Sequence, residues 1–331
     1  MLFGGTFQML GMVATPLHNG VVTRPYDLNE HICIRELGPI RWDVAIIKSH
    51  VSEHDREELA STKFWLCAIR NYEHLPDDVG RELFPLAHAA ALTLQTLCPN
   101  GAKHVFLAFH ETPQGWDNVG GSQPDKPLCR TLLGRITDLE EQAFPRDFNA
   151  VYEGIRRAND DGLVRLQNPV QLLEHGMQTG HPYIATMLFV AGLDVLVMAG
   201  ESRTFVPRLG GFLGPETLLF PAESLLHRQP RTTVRDVLHD VYTLRSKVAH
   251  GQEIPKTPFR ELYRLLSTAG EQINAAEYSY AHLMLDASLF LLTKALHRIF
   301  TEERYDTFQN ITTWRQQLTI FEHRYNQAVA I

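Results

Sequence analysis

The feature that most constrains this chain is a change of hydrophobic period about a third of the way along it. Up to about residue 125, short apolar runs of β character surround a single helical stretch. Beyond it, apolar residues recur at helical spacing almost to the end. Such a chain has to bury its first part as a small sheet with a helix and its second part as helices packed on helices.

In the first part, HICIREL (31–37), WDVAIIKSHV (42–51) and KHVFLAFHE (103–111) read as strands. Residues 77–97, with Leu83, Leu86, Ala87, Ala90 and Leu94 in helical register, read as a helix, and ETPQGWDNVGGSQPDKP (111–127) reads as a loop. The second part predicts helices over about 128–142, 147–158, 168–178, 182–199, 216–227, 232–250, 257–269, 272–303 and 306–329. GESRTFVPRLGGFLGPE (200–216), with its glycines and prolines, reads as a long connection, and its GGFLG lacks the Lys-Ser/Thr that a phosphate loop requires. The fold class expected is an α+β N-terminal domain over 1–125, a linker with helices over 126–164, and an all-α helical bundle over 165–331.

With 44% hydrophobic and 21% charged residues, the 331-residue chain has the composition of a soluble globular protein. The longest apolar run, Tyr183 to Ala199, carries Asp194 and reads as a core helix rather than a membrane span. The N-terminal stretch has no basic leader and is broken by Gly and Pro, unlike a signal peptide. Cys33, Cys67, Cys98 and Cys129 lie far apart with no CxxC pair, which suggests neither a zinc site nor a disulfide framework and fits a reducing cytoplasm. His104 and His110 alternate onto one side of a strand but lack a third ligand, so no metal or other cofactor is expected.

A formal net charge of −7 gives no global attraction to nucleic acid, but the distribution is uneven. Between Arg228 and Arg264 there are eight Lys or Arg against four acids, a local excess of basic charge. Within it, Val234, Val237, Leu238, Val241, Leu244 and Val248 make one apolar stripe behind a Thr232 or Thr233 N-cap, and Gly251 stands where a helix would end. The last turn reads LRSKVAHG. At about 100° per residue, Arg245 falls on the edge of the apolar stripe and His250 on the far side. A half-buried arginine needs an anion. Asp194, in the apolar helix YIATMLFVAGLDVLVMAG, is the expected partner, an ion pair equally suited to holding the fold or to orienting the arginine for catalysis.

GLDVL (192–196) followed by RSKVAHG (245–251) resembles the HEPN superfamily, and within it the Apea-like HEPN proteins, over about residues 165–303. In that family an apolar helix bears an acid and a later helix ends in Arg-x4-His. The family's acid is commonly Glu where this chain has Asp194, and the residue after the arginine is often Asn, Asp or His where this chain has Ser246.

The resemblance implies a metal-independent endoribonuclease of helical-bundle fold, cytoplasmic, without a membrane partner, acting at a composite site on a homodimer in anti-phage defence or a toxin-like role. Arg245 and His250 would be catalytic, with Ser246 and Asp194 supporting them and Lys247 and Arg235 binding RNA. The N-terminal domain would take a regulatory ligand or protein. The competing expectation is a non-catalytic HEPN scaffold that dimerises and keeps Arg245 and His250 for stability. Trp314, Arg315, Phe321, His323 and Arg324 near the C-terminus could stack on bases, though helix packing explains them more simply.

Overall fold

The computed structural model describes residues 9–330 except 19–20, 52–55, 57–58, 60, 75, 77, 100–101, 103–104, 123–142, 220–232, 253–279 and 303. It has a sheet-containing N-terminal unit followed by a unit of helices. Among the described residues the first unit runs through Tyr152 and the second begins at Glu153.

The strands of the first unit are β1 (Met9–Pro16), β2 (Tyr26–Asp27), β3 (Ile32–Arg35), β4 (Ile40–Arg41), β5 (Trp65–Tyr72), β6 (Phe106–Thr112) and β7 (Gly115–Ser122). They form one sheet in the order β2-β3-β5-β1-β6-β7-β4. All neighbours run antiparallel except β4 beside β7. Both faces are covered, which is why the strands read as near-continuous apolar runs. Val13, Leu66, Ala68, Phe106 and Ala108 point to a core shared with helix α2 (Val79–Leu97). Met12, Ala14, Trp65, Cys67, Leu107 and Phe109 point to the other, closed by Trp42 and by Ile47 of helix α1 (Val44–His50).

Two expectations fail here. WDVAIIKSHV is not a strand, because Asp43 accepts hydrogen bonds from the N–H groups of Ala45 and Ile46 at 2.8 and 3.1 Å and caps α1. A satisfied N-cap outweighs the β preference of a few branched residues. The stretch from 115 to 122 is not loop but the strand β7. Asn118 makes it viable by donating Nδ2–H bonds to Ala108 O and Gly120 O, at 3.1 and 3.0 Å, where the β6–β7 register shifts.

The second part contains α3 (Phe144–Asp160), α4 (Val164–Gln178), α5 (Pro182–Val197), α6 (Ser202–Leu213), α7 (Val234–Ala249), α8 (Tyr280–Thr301), α9 (Tyr305–Gln309) and α10 (Ile311–Val329). The division into units falls within α3, since Phe144, Phe148 and Tyr152 bury in the first unit's core. Helix α5 is central and packs against α4, α6, α7 and α8.

The long connection expected over 200–216 is instead helix α6. Its glycines are sites of close helix approach rather than turn residues. A Cβ on Gly211 would lie 1.9 Å from Phe321 O of α10, and one on Gly210 would lie 2.4 Å from the Tyr325 ring. The helix expected over 216–227 does not begin at 216, as residues 214–219 are non-helical and Leu218 bridges to Thr233. Residues 220–227, the helices expected over 128–142 and 257–269, and the start of the one over 272–303 lie outside the described residues. The stretch 306–329 divides at Asn310, whose side chain accepts from the N–H groups of Thr312 and Thr313 and starts α10.

Trp314 and Phe321 of α10 are buried core residues, and Trp314 Nε1–H donates to Leu196 O at 2.7 Å. Among the described residues no single helix is long and apolar enough to cross a membrane.

Candidate functional site

The site is built where α7 ends against α5. Helix α7 starts at Thr233, whose N–H and hydroxyl donate to the Asp236 carboxylate at 2.7 and 2.8 Å. Val234, Val237, Leu238, Val241 and Leu244 form its buried stripe. It stops at His250, because Gly251 takes a left-handed φ of +63°. Gln252 N–H then reaches Lys247 O at 2.9 Å and Gly251 N–H reaches Val248 O at 3.3 Å, the paired bonds of a Schellman stop.

One turn before that stop, Arg245 Nη2 lies 3.3 Å from Asp194 Oδ2 on α5. Asp194 has 14% and Arg245 30% of its side chain exposed, so the pair is largely shielded yet reachable from solvent. Burial pushes the Asp194 carboxyl above its ordinary range, and the Arg245 charge opposes that shift. Its second oxygen, Oδ1, is buried with no hydrogen-bond partner among the described residues. The guanidinium sits 5.6 Å from the centre of the Tyr242 ring, one helical turn back, and that ring packs 4.8 Å from Phe205 of α6. Burial, and after it the Asp194 charge, hold the Tyr242 hydroxyl above its ordinary value.

Tyr242 and Phe205 did not emerge from sequence reasoning. The i, i+3 spacing of Tyr242 and Arg245 was a usable signal for the first. Phe205 was hidden because its segment reads as a connection.

The other candidate residues are placed as follows. His250 is exposed, and its imidazole makes no hydrogen bond or ion pair among the described residues. Ser246 is half-buried and its carbonyl accepts from His250 N–H at 3.0 Å. Lys247 is half-buried on the last turn. Arg235 is not brought to the site. It lies ten residues earlier on α7, about 15 Å along the axis, and pairs with Glu216 at 3.0 Å. The basic excess seen in sequence is thus partly neutralised from neighbouring elements, by Glu216 and Asp194. Arg228, Arg231, Lys256, Arg260 and Arg264 lie outside the described residues.

Around Asp194, α5 presents an apolar band that the chain leaves half open. Met187, Leu188, Ala191, Val195 and Met198 are all partly exposed, and Ile184 at its end is 42% exposed. They recur at the three- and four-residue spacing of one helix face. Among the described residues no group of three His, Cys, Asp or Glu could hold a metal ion, and His104 lies outside them. Set against known proteins, the chain matches no family model, no curated sequence and no solved structure.

Proposed function

We propose that this chain is a HEPN-type endoribonuclease acting as a homodimer. The observation that carries the reading is the Asp194–Arg245 pair, held one turn before a helix stop that carries His250 and bordered by a half-open apolar band. Arg245 offers five N–H donors, and Nη2 is the one that faces Asp194. The rest of the fork would hold a phosphate, while Asp194 fixes its direction.

In the reaction, a ribose 2′-oxygen attacks the adjacent phosphorus and the 5′-oxygen leaves. The product ends are a 2′,3′-cyclic phosphate and a 5′-hydroxyl. Arg245 stabilises the charge that builds on the phosphoryl oxygens. His250 delivers the proton to the leaving oxygen, and Ser246 supports the phosphate. Because Arg245 and His250 sit on different sides of α7, a second copy seated on the apolar band lets two chains line one cleft. Lys247 contacts RNA near that cleft, and the resemblance to HEPN proteins is what suggests a role in anti-phage defence or toxicity.

The second reading, a non-catalytic dimerising scaffold, draws on the same ion pair taken as purely structural. Cleavage of total tRNA and a structured mRNA in EDTA separates them, comparing wild type with Arg245→Ala and His250→Ala of verified fold. Cutting by wild type alone, with cyclic phosphate ends, upholds the nuclease. Equal behaviour of all three proteins favours the scaffold.

A further inference from the structure

Cys33 on β3 and Cys67 on β5 stand directly opposite each other in an antiparallel ladder. Both are free and buried, at 2% and 0% exposed. Two positions along, Ile69 N–H donates to His31 O at 2.8 Å, so the cysteines also fall at a hydrogen-bonded pair, where Cα atoms lie about 5.5 Å apart. A disulfide spans Cα separations of about 4.4–6.8 Å but needs Cβ atoms about 3.5–4.5 Å apart, whereas a hydrogen-bonded pair sets them near about 5.5 Å, so the two strands draw together locally when these sulfurs join. The 33-to-67 spacing conceals this in the sequence.

The two thiols are not equivalent. Arg35, two residues along the same strand, donates its Nε–H to Cys33 Sγ at 2.9 Å. A cation on one sulfur favours its thiolate, the nucleophilic form. Cys67 lies deep in the apolar face with Met12, Ala14 and Trp65, its Sγ 3.4 Å from Trp65 O. The hydrogen bond from Cys67, and then the Arg35 charge, draw the Cys33 thiol down despite its burial, while burial pushes Cys67 up. One sulfur is set to attack and the other to resolve. Cys98 is buried in the core on the opposite face of the sheet and has no part in the pair.

We propose that Cys33 and Cys67 form a redox-active dithiol that a small hydroperoxide closes to a disulfide. The Cys33 sulfur attacks the terminal peroxide oxygen, and the O–O bond breaks. The sulfur is oxidised by two electrons to a sulfenic acid, and the peroxide is reduced to water or an alcohol. The Cys67 sulfur then attacks the Cys33 sulfur, the S–O bond breaks, and the departing hydroxide leaves as water with the Cys67 proton. Two thiols and one hydroperoxide give one disulfide, one alcohol or water, and one water.

The test treats the reduced, folded full-length chain with hydrogen peroxide, alkylates the remaining thiols and maps the peptides without reductant. The expected result is a mass loss of two hydrogens, two thiols still alkylated at Cys98 and Cys129, a 33–67 linked peptide, and reversal by dithiothreitol. Arg35→Gln should close severalfold more slowly at neutral pH, because the cation that favours the Cys33 thiolate is gone. The proposal is overturned if all four thiols stay alkylatable or if the link joins other cysteines. It is equally overturned if Cys33 reaches sulfinic acid without a link, or if Arg35→Gln closes at the wild-type rate.

Discussion

Asp194 of α5 and Arg245 of α7 face each other at 3.3 Å, with the second Asp194 oxygen buried and unbonded among the described residues. The carboxylate depends on the arginine for its charge balance, whereas the arginine, more exposed, has water to turn to. Removing the arginine should therefore cost more than removing the acid. Arg245→Ala is expected to lower unfolding stability by about 2 kcal/mol, below the cost of breaking a fully buried pair because of solvent access. Asp194→Asn should cost under about 1 kcal/mol. Urea unfolding of the two variants and the double variant measures the coupling, and equal losses in the single variants would count against it.

The same pair sets a pH dependence. Burial raises the Asp194 carboxyl in the folded chain above its ordinary value of 3.8, so the folded state binds that proton more tightly than the unfolded one. Stability from this group is present at low pH and is lost as pH rises from the ordinary value through the raised one. Relative to Asp194→Asn, the wild-type Tm should fall as pH rises above 3.8. Parallel Tm curves for the two proteins would contradict this.

His250 is exposed and holds its place through its backbone. His250→Ala should leave stability within about 0.5 kcal/mol while abolishing RNA cleavage. Thermal melts run beside the cleavage assay check this, and a large loss of Tm would assign His250 to the fold instead.

Leu188 belongs to the half-open band of α5. Leu188→Glu should yield a folded monomer where the proposed function expects wild type to sediment as a dimer, because an ionised carboxylate at an apolar interface is costly to desolvate. Sedimentation equilibrium reads the result. A wild type that is monomeric at high concentration removes the dimer from the proposed function.

Two glycines, one inside α6 and one just before it, give a test of packing alone. Gly211→Ala places a Cβ 1.9 Å from Phe321 O, a backbone atom that cannot turn aside, and should cost about 3 kcal/mol. Gly200→Ala, with nothing within 4 Å and no positive φ, should be close to neutral. Comparing their denaturation midpoints checks the close approach of α6 and α10.

What the sequence alone determined is what depends on neighbours along the chain. The 3.6-residue stripe and the glycine stop fixed α7, the apolar run fixed α5, and a half-buried arginine beside a buried acid was enough to pair Arg245 with Asp194. Tertiary structure decided whatever depends on distant partners. Gly210 and Gly211 read as part of a long connection until α10 lies against them. The strand β7 reads as loop until β6 supplies its hydrogen bonds. Cys33 and Cys67 look unrelated until β3 and β5 pair. Arg235 looks like part of a basic patch until Glu216 neutralises it. In each case the free energy comes from a contact between residues remote in sequence, and local pattern carries no record of it.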